Sequence, residues 1–118
     1  MINLIDLEKK INSELTTKIN FSKIKHNHLY LNIDTEDLIN VVLFLKNNKD
    51  TKFRQLIDIT AVDYPENTKR FKMVYLFLSH EFNQRILVNY TINENEVIPS
   101  LTKIFPSANW MEREVFDM

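Results

Sequence analysis

The residues best suited to chemistry are few and scattered. Three histidines occur, His26, His28 and His80. Two sit at i,i+2 beside a predicted turn and the third in a distant loop. A metal site needs about three converging ligands and groups to orient them. No metal site is therefore expected. Asp58 and Asp63 are five apart and face opposite sides of a straight strand, a poor acid–base pair unless a bulge intervenes. Asp63 and Arg70 bracket a loop between two predicted strands and are expected to form a structural cross-strand ion pair. Asp58 and Arg85 lie on polar strand faces and read as solvated rather than paired. Cysteine is absent, which removes disulfides, thiol nucleophiles and thiolate ligands to iron–sulfur clusters. Glycine is absent too, and with it the P-loop, the Rossmann turn and the nucleophile elbow. The inventory predicts no catalytic, cofactor-binding or metal-binding residue in this chain. Two competing readings are a small stand-alone enzyme with Asp58, Asp63, Arg70 and His80 around a pocket, and a single-strand nucleic-acid module. The near-neutral charge of −1 and the missing glycine count against the second.

The elements that must position these residues follow from periodicity. Leu4, Leu7, Ile11, Leu15 and Ile19 recur at helical spacing and predict a helix over 3–18. Phe21–Lys25 and His28–Ile33 read as strands about a His26-Asn27 turn. Asp34 or Thr35 then caps a second helix with Leu38, Ile39, Val42, Phe44 and Leu45 on its apolar face. Phe53–Val62 reads as a third strand, with Ile57, Ile59 and Ala61 on one face and Asp58 and Thr60 on the other. Arg70–Ser79 and Gln84–Ile92 are the fourth and fifth, joined by a hairpin loop in which Asn83 takes the left-handed position. Pro99-Ser100 opens a short helix through Ile104. Pro106 separates it from a terminal helix capped by Ser107. The order αββαβββ plus C-terminal helices predicts a two-layer α+β domain, helices on one face of a mixed five-stranded sheet. The connection from the second strand to the third would be right-handed if the two are parallel neighbours.

The terminal stretch Trp110-Met111-Glu112-Arg113-Glu114-Val115-Phe116-Asp117-Met118 holds the only tryptophan. On a helical wheel, Ala108, Met111, Val115 and Met118 form one apolar stripe. Glu112 and Glu114 flank it, and Arg113 and Asp117 lie opposite as an i,i+4 pair. Trp110 and Phe116 point out among the charges. The stripe is expected to dock on its own domain. Trp110, Glu112, Arg113, Glu114, Phe116 and Asp117 are expected to contact a partner, since aromatic and arginine side chains are the usual anchors of interfaces.

This stretch resembles the W-x-E-R-E-x-x-D signature of the thirty-kilodalton subunit of respiratory complex I, the NADH–quinone oxidoreductase. Asp58-Ile59-Thr60-Ala61-Val62-Asp63-Tyr64 is similar to the family's D-I-T-x-V-D-Y segment. Arg70-Phe71-Lys72-Met73-Val74-Tyr75-Leu76-Phe77-Leu78-Ser79 is similar to the strand that follows it. The three blocks stand in the family's order and span about residues 55–118. The resemblance implies the same two-layer fold and a cofactor-free scaffold of the peripheral arm. It places FMN and iron–sulfur clusters in partner subunits and implies contact with the quinone-site and cluster-bearing subunits. It also implies a position on the cytoplasmic side of a bacterial inner membrane, or the mitochondrial matrix side, held through those partners. A homologous scaffold subunit of an energy-converting hydrogenase fits the same blocks. Family members run on past the Asp-Met position into a Gly-containing segment and a His- and Arg-bearing tail. Residues 1–118 are thus expected to be one such domain, truncated at its C-terminus.

The bulk composition agrees with a globular domain: 44% apolar, 26% charged, 15 Lys and Arg against 16 Asp and Glu. That balance gives no reason to expect nucleic acid as a partner. No apolar run approaches the 18 or so residues of a membrane span. The acidic, amphipathic start, Met-Ile-Asn-Leu-Ile-Asp-Leu-Glu, is unlike a secretory signal.

Overall fold

His26 and Asn27 have φ of 53° and 63°. Two consecutive left-handed residues are what a two-residue type I′ hairpin requires, and asparagine tolerates the conformation better than most. This turn joins β1 (Ile19–Lys25) to β2 (His28–Ile33), an antiparallel pair. The computed structural model describes residues 3–15, 18–48, 51–81, 83–93 and 98–116. The expectations placed on Asp117, Met118 and the Phe116 side chain lie outside the described residues.

Helix α1 (Leu4–Glu14) starts where the Asn3 side chain accepts a hydrogen bond from the Asp6 amide at 2.8 Å. It is shorter than predicted. Leu15 leaves the helical conformation, and Ile19 belongs to β1 rather than to the helical stripe. After β2 a 3₁₀ turn, Thr35–Asp37, leads into α2 (Leu38–Asn47). That helix buries Leu38, Val41, Val42 and Leu45, while Ile39 and Phe44 are only partly covered.

Three long strands follow: β3 (Gln55–Asp63), β4 (Phe71–Ser79) and β5 (Gln84–Ile92). Short turns pair them consecutively, and Asn83 at φ 50° takes the left-handed place in the β4–β5 turn. The sheet order is β1-β2-β5-β4-β3, with β2 and β5 parallel and every other pair antiparallel. The conditional expectation that β2 and β3 are parallel neighbours is not met: they are separated by β5 and β4. The physical reason lies in β3. It has a bulge between Leu56 and Asp58 and exposes Asp58 and Thr60, features of an edge strand. The bulge also shifts the phase, so that Leu56 and Ile59 are buried and Ile57 is not.

One face of the sheet carries Leu29, Leu31 and Ile33 of β2, Ile86, Val88 and Tyr90 of β5, Met73, Tyr75 and Phe77 of β4, and Leu56 and Ile59 of β3. All are buried, in one cluster with Leu7, Ile11, Val41 and Leu45 of the helices. Burying each such side chain contributes about 1.5–3 kcal/mol, so this single layer of contacts accounts for the helices lying on one face.

Candidate interaction site at the C-terminal helix

Ile98–Ser107 and helix α3 (Ala108–Phe116) build the candidate site from short local interactions. The Ser100 hydroxyl accepts from the Thr102 amide at 3.3 Å, and the Ile104 and Phe105 amides both donate to the Leu101 carbonyl. This is a single turn, not the short helix predicted. Pro106 cannot donate to extend it, and the Lys46 ammonium donates to the Ile104 carbonyl at 2.7 Å. Lys46 also sits 5.1 Å over the Phe105 ring, which packs on Phe77 with centroids 5.6 Å apart. Leu101, Phe105 and Ala108 are buried, so the segment is fastened to α2 and β4 before α3 begins.

Helix α3 lies against β3. Ala108 is buried, and Met111 and Val115 are partly buried against the core, as the wheel divides them. Glu112 does something the wheel does not anticipate. Its carboxylate accepts from the Ser100 hydroxyl and from the Leu101 amide, each at 2.8 Å. Those two bonds tie it to its own domain. A gap lined by Ile59, Met73, Tyr75, Ile98, Glu112 and Val115 has no room for a water molecule. Beneath it the Tyr75 and Tyr90 hydroxyls share a buried hydrogen bond of 2.7 Å. Burial pushes the Tyr75 phenol up to about 12; the bond with Tyr90 opposes the shift, and the nearby Glu112 charge adds to it. The outer side of α3 presents Asn109, Arg113 and Glu114, all exposed, and Trp110, which is 68% exposed.

The other singled-out residues do not converge. Arg70 donates from Nε to Asp63 Oδ1 at 2.7 Å and from Nη2 to Oδ2 at 2.9 Å, an exposed two-pronged pair closing the β3–β4 loop. The Arg70 hydrogen bond holds the Asp63 carboxyl below the ordinary aspartate value. Asp58 accepts from its own neighbours, the Ile59 amide and the Thr60 hydroxyl. His80 bonds Gln55 at the opposite end of the β3–β4 ladder from Asp63. Eight strand residues separate those ends, roughly 27 Å, so Asp58, Asp63, Arg70 and His80 line no common pocket.

An open cleft of about 520 Å³ lies instead where β2 and β5 end, lined by Asn20, Asn32, Asp34, Glu36, Lys69 and Thr91 among others. Asn20 donates to Asn32 and Asp34, and Asn32 to Asn89 at 2.6 Å, which ties the amides to one another. Asp34, Glu36 and Asp37 bring carboxylate oxygens within 4.8 Å of one another, an oxygen set of the kind hard cations take. They stand at the start of α2, where the helix dipole favours acidic side chains. In the sequence, Asp34-Thr35-Glu36-Asp37 is legible as the acidic start of the second helix.

The model of the family described as respiratory-chain NADH dehydrogenase, 30 Kd subunit, matches residues 31–118, from the second half of β2 through α3. The chain belongs to that family. Among 30 Kd subunit relatives, the C subunit of the NADH-quinone oxidoreductase of Ruegeria pomeroyi is 52% identical over 90 residues, 75% of this chain and 45% of that protein. The corresponding NADH-quinone oxidoreductase protein of a Chelativorans species is 36% identical over 115 residues, 98% of this chain and 58% of its own. The chain thus spans about half the length of the curated relatives it matches. A chain of an archaeal respiratory complex, the membrane-bound sulfane sulfur reductase, superposes with a TM-score of 0.83. The match covers 96% of this chain and 65% of that one at 21% identity, a likeness of fold. Among the described residues no helix is long and apolar enough to cross a membrane.

Proposed function

We propose that the chain is a cofactor-free structural subunit of the peripheral arm of a proton-translocating NADH–quinone oxidoreductase. Electrons pass from NADH through FMN and iron–sulfur clusters to quinone in partner subunits. This chain packs against the quinone-site and cluster-bearing subunits and holds them in register. It sits on the cytoplasmic side of a bacterial inner membrane, or the matrix side in mitochondria, through those contacts. One observation carries the reading: α3 is locked to its own domain by Glu112 and its apolar stripe, yet it holds Trp110 outward beside Arg113 and Glu114. An indole 68% exposed on a fastened helix is a preformed anchor for another surface. The absence of cysteine and glycine supports the placing of clusters and nucleotides elsewhere. The proposed partner contacts also include Glu112, Phe116 and Asp117.

The test is co-expression with the partner subunits. Trp110→Ala should leave the melting temperature of the isolated chain nearly unchanged and reduce its recovery in the assembled complex about tenfold or more. If Trp110→Ala unfolds the domain, the outward assignment is wrong. Flavin or cluster absorbance that stays with the isolated chain through gel filtration would overturn the cofactor-free reading.

A further inference from the structure

The face of the sheet away from the helices has a composition of its own. Strand registers place Lys23, Tyr30, Leu87, Leu76 and Asp58 in one row across it. Phe21, Asn32, Asn89, Val74 and Thr60 form the next row. Val74, Leu76, Leu78 and Leu87 make a central aliphatic strip on β4 and β5, half-buried by their neighbours in the sheet. Among the described residues no helix covers them, since α1, α2 and α3 bury their apolar sides on the other face. The border is basic. Lys23 and Lys25 lie at the β1 edge, Arg85 at one end of β5 and Lys72 on β4. None of the four has a carboxylate partner among the described residues. The strands carry a single acid on this face, Asp58, whose oxygens already accept from Ile59 and Thr60. The strands of this face thus carry four cations against one carboxylate, in a chain whose net charge is −1.

We infer that this open face is a second docking surface, and that its occupant is an acidic, amphipathic segment of another subunit of the same assembly; the inference rests on the scaffold reading above. Three strands of nine residues, one of seven and one of six, at about 3.4 Å per residue and about 4.8 Å between strands, give a face of roughly 650 Å². That approaches the roughly 800 Å² that each partner contributes to a standard interface. Apolar side chains on the segment cover the aliphatic strip, and its carboxylates meet Lys72, Arg85 and the β1 lysines. Single-stranded nucleic acid fits less well, because base stacking needs aromatic platforms and the two central strands offer leucine and valine there.

The test uses the assembled complex. A photo-cross-linking p-benzoylphenylalanine is placed at position 76 and, separately, at 87, and the captured peptide is sequenced. The expected product is a peptide of another subunit with Asp or Glu beside apolar residues. Lys72→Glu with Arg85→Glu should leave the melting temperature unchanged and lower that cross-link about tenfold. A chain that enters the complex with both positions uncaptured overturns this inference alone. So does capture of a basic peptide, a second copy of the chain or lipid, or binding of an oligonucleotide or anionic vesicle that the double variant abolishes. Failure of the chain to enter the complex at all defeats the scaffold reading and this one together.

Discussion

Tyr75 and Tyr90 show how much a single residue's role depends on strand register. Alternation along β5 puts Tyr90 on the inner face, and that much is legible in sequence. Their meeting is not, because it needs Met73 opposite Tyr90 and Val88 opposite Tyr75, a pairing that local pattern does not specify. The buried phenol has a consequence for stability at high pH. Tyr75 is raised to about 12 from the usual 10. Stability that depends on the neutral phenol is fully present below about pH 10, where both folded and unfolded chains keep the proton. It is lost as pH rises from about 10 towards 12, where the unfolded chain ionises first. Tyr75→Phe should cost about 1 kcal/mol at neutral pH. It should also flatten the fall in melting temperature between about pH 9 and 12. Equal falls in the parent and the variant would remove Tyr75 as their source. The Asp63–Arg70 contact is easier to foresee, because both residues bracket one short loop.

The elements are legible in kind more often than in extent. A helical wheel places Ala108, Met111 and Val115 inward because it needs only the 3.6-residue period. It cannot foresee Glu112, whose partners fold back from positions 100 and 101 and whose azimuth alone suggests solvent. The bulge in β3 is equally invisible: one extra residue inverts the faces of everything before it, and Leu56-Ile57-Asp58 carries no mark of where it falls. Glu112 therefore gives the sharper experiment. Replacing it by Ala removes a charged acceptor from the Leu101 amide and should cost about 1–2 kcal/mol. Hydrogen exchange at Leu101 should speed up while exchange in β4 keeps its rate. Unchanged protection at Leu101 would mean that Lys46 and Phe105 alone hold the segment.

At the scale of the whole molecule, the α+β class follows from the run of strands and helices, but the order of strands does not. Which edge of the β3–β4–β5 meander joins β2 is decided by the bulge and by the match of Leu29 and Leu31 to Ile86 and Val88, facts that exist only once the strands are aligned. The result is a sheet whose central seam joins two separately closed parts. The β1–β2 hairpin and the β3–β4–β5 meander each form through short connections, whereas the Asn32–Asn89 contact across the seam spans 57 residues. Loop-closure entropy then makes the seam close late, after a rate-limiting transition state that already holds the meander. Truncating Leu31 to Ala should chiefly accelerate unfolding and barely slow refolding, while Phe77→Ala within the meander should slow refolding. Stopped-flow kinetics over a range of denaturant would read the two apart, and a refolding rate that drops for Leu31→Ala by the full loss of stability would put the seam in the nucleus instead. With late closure, the newly made chain passes through a stage at which the inner edges of β2 and β5 are both unsatisfied strand edges, open to pairing with another molecule until they find each other.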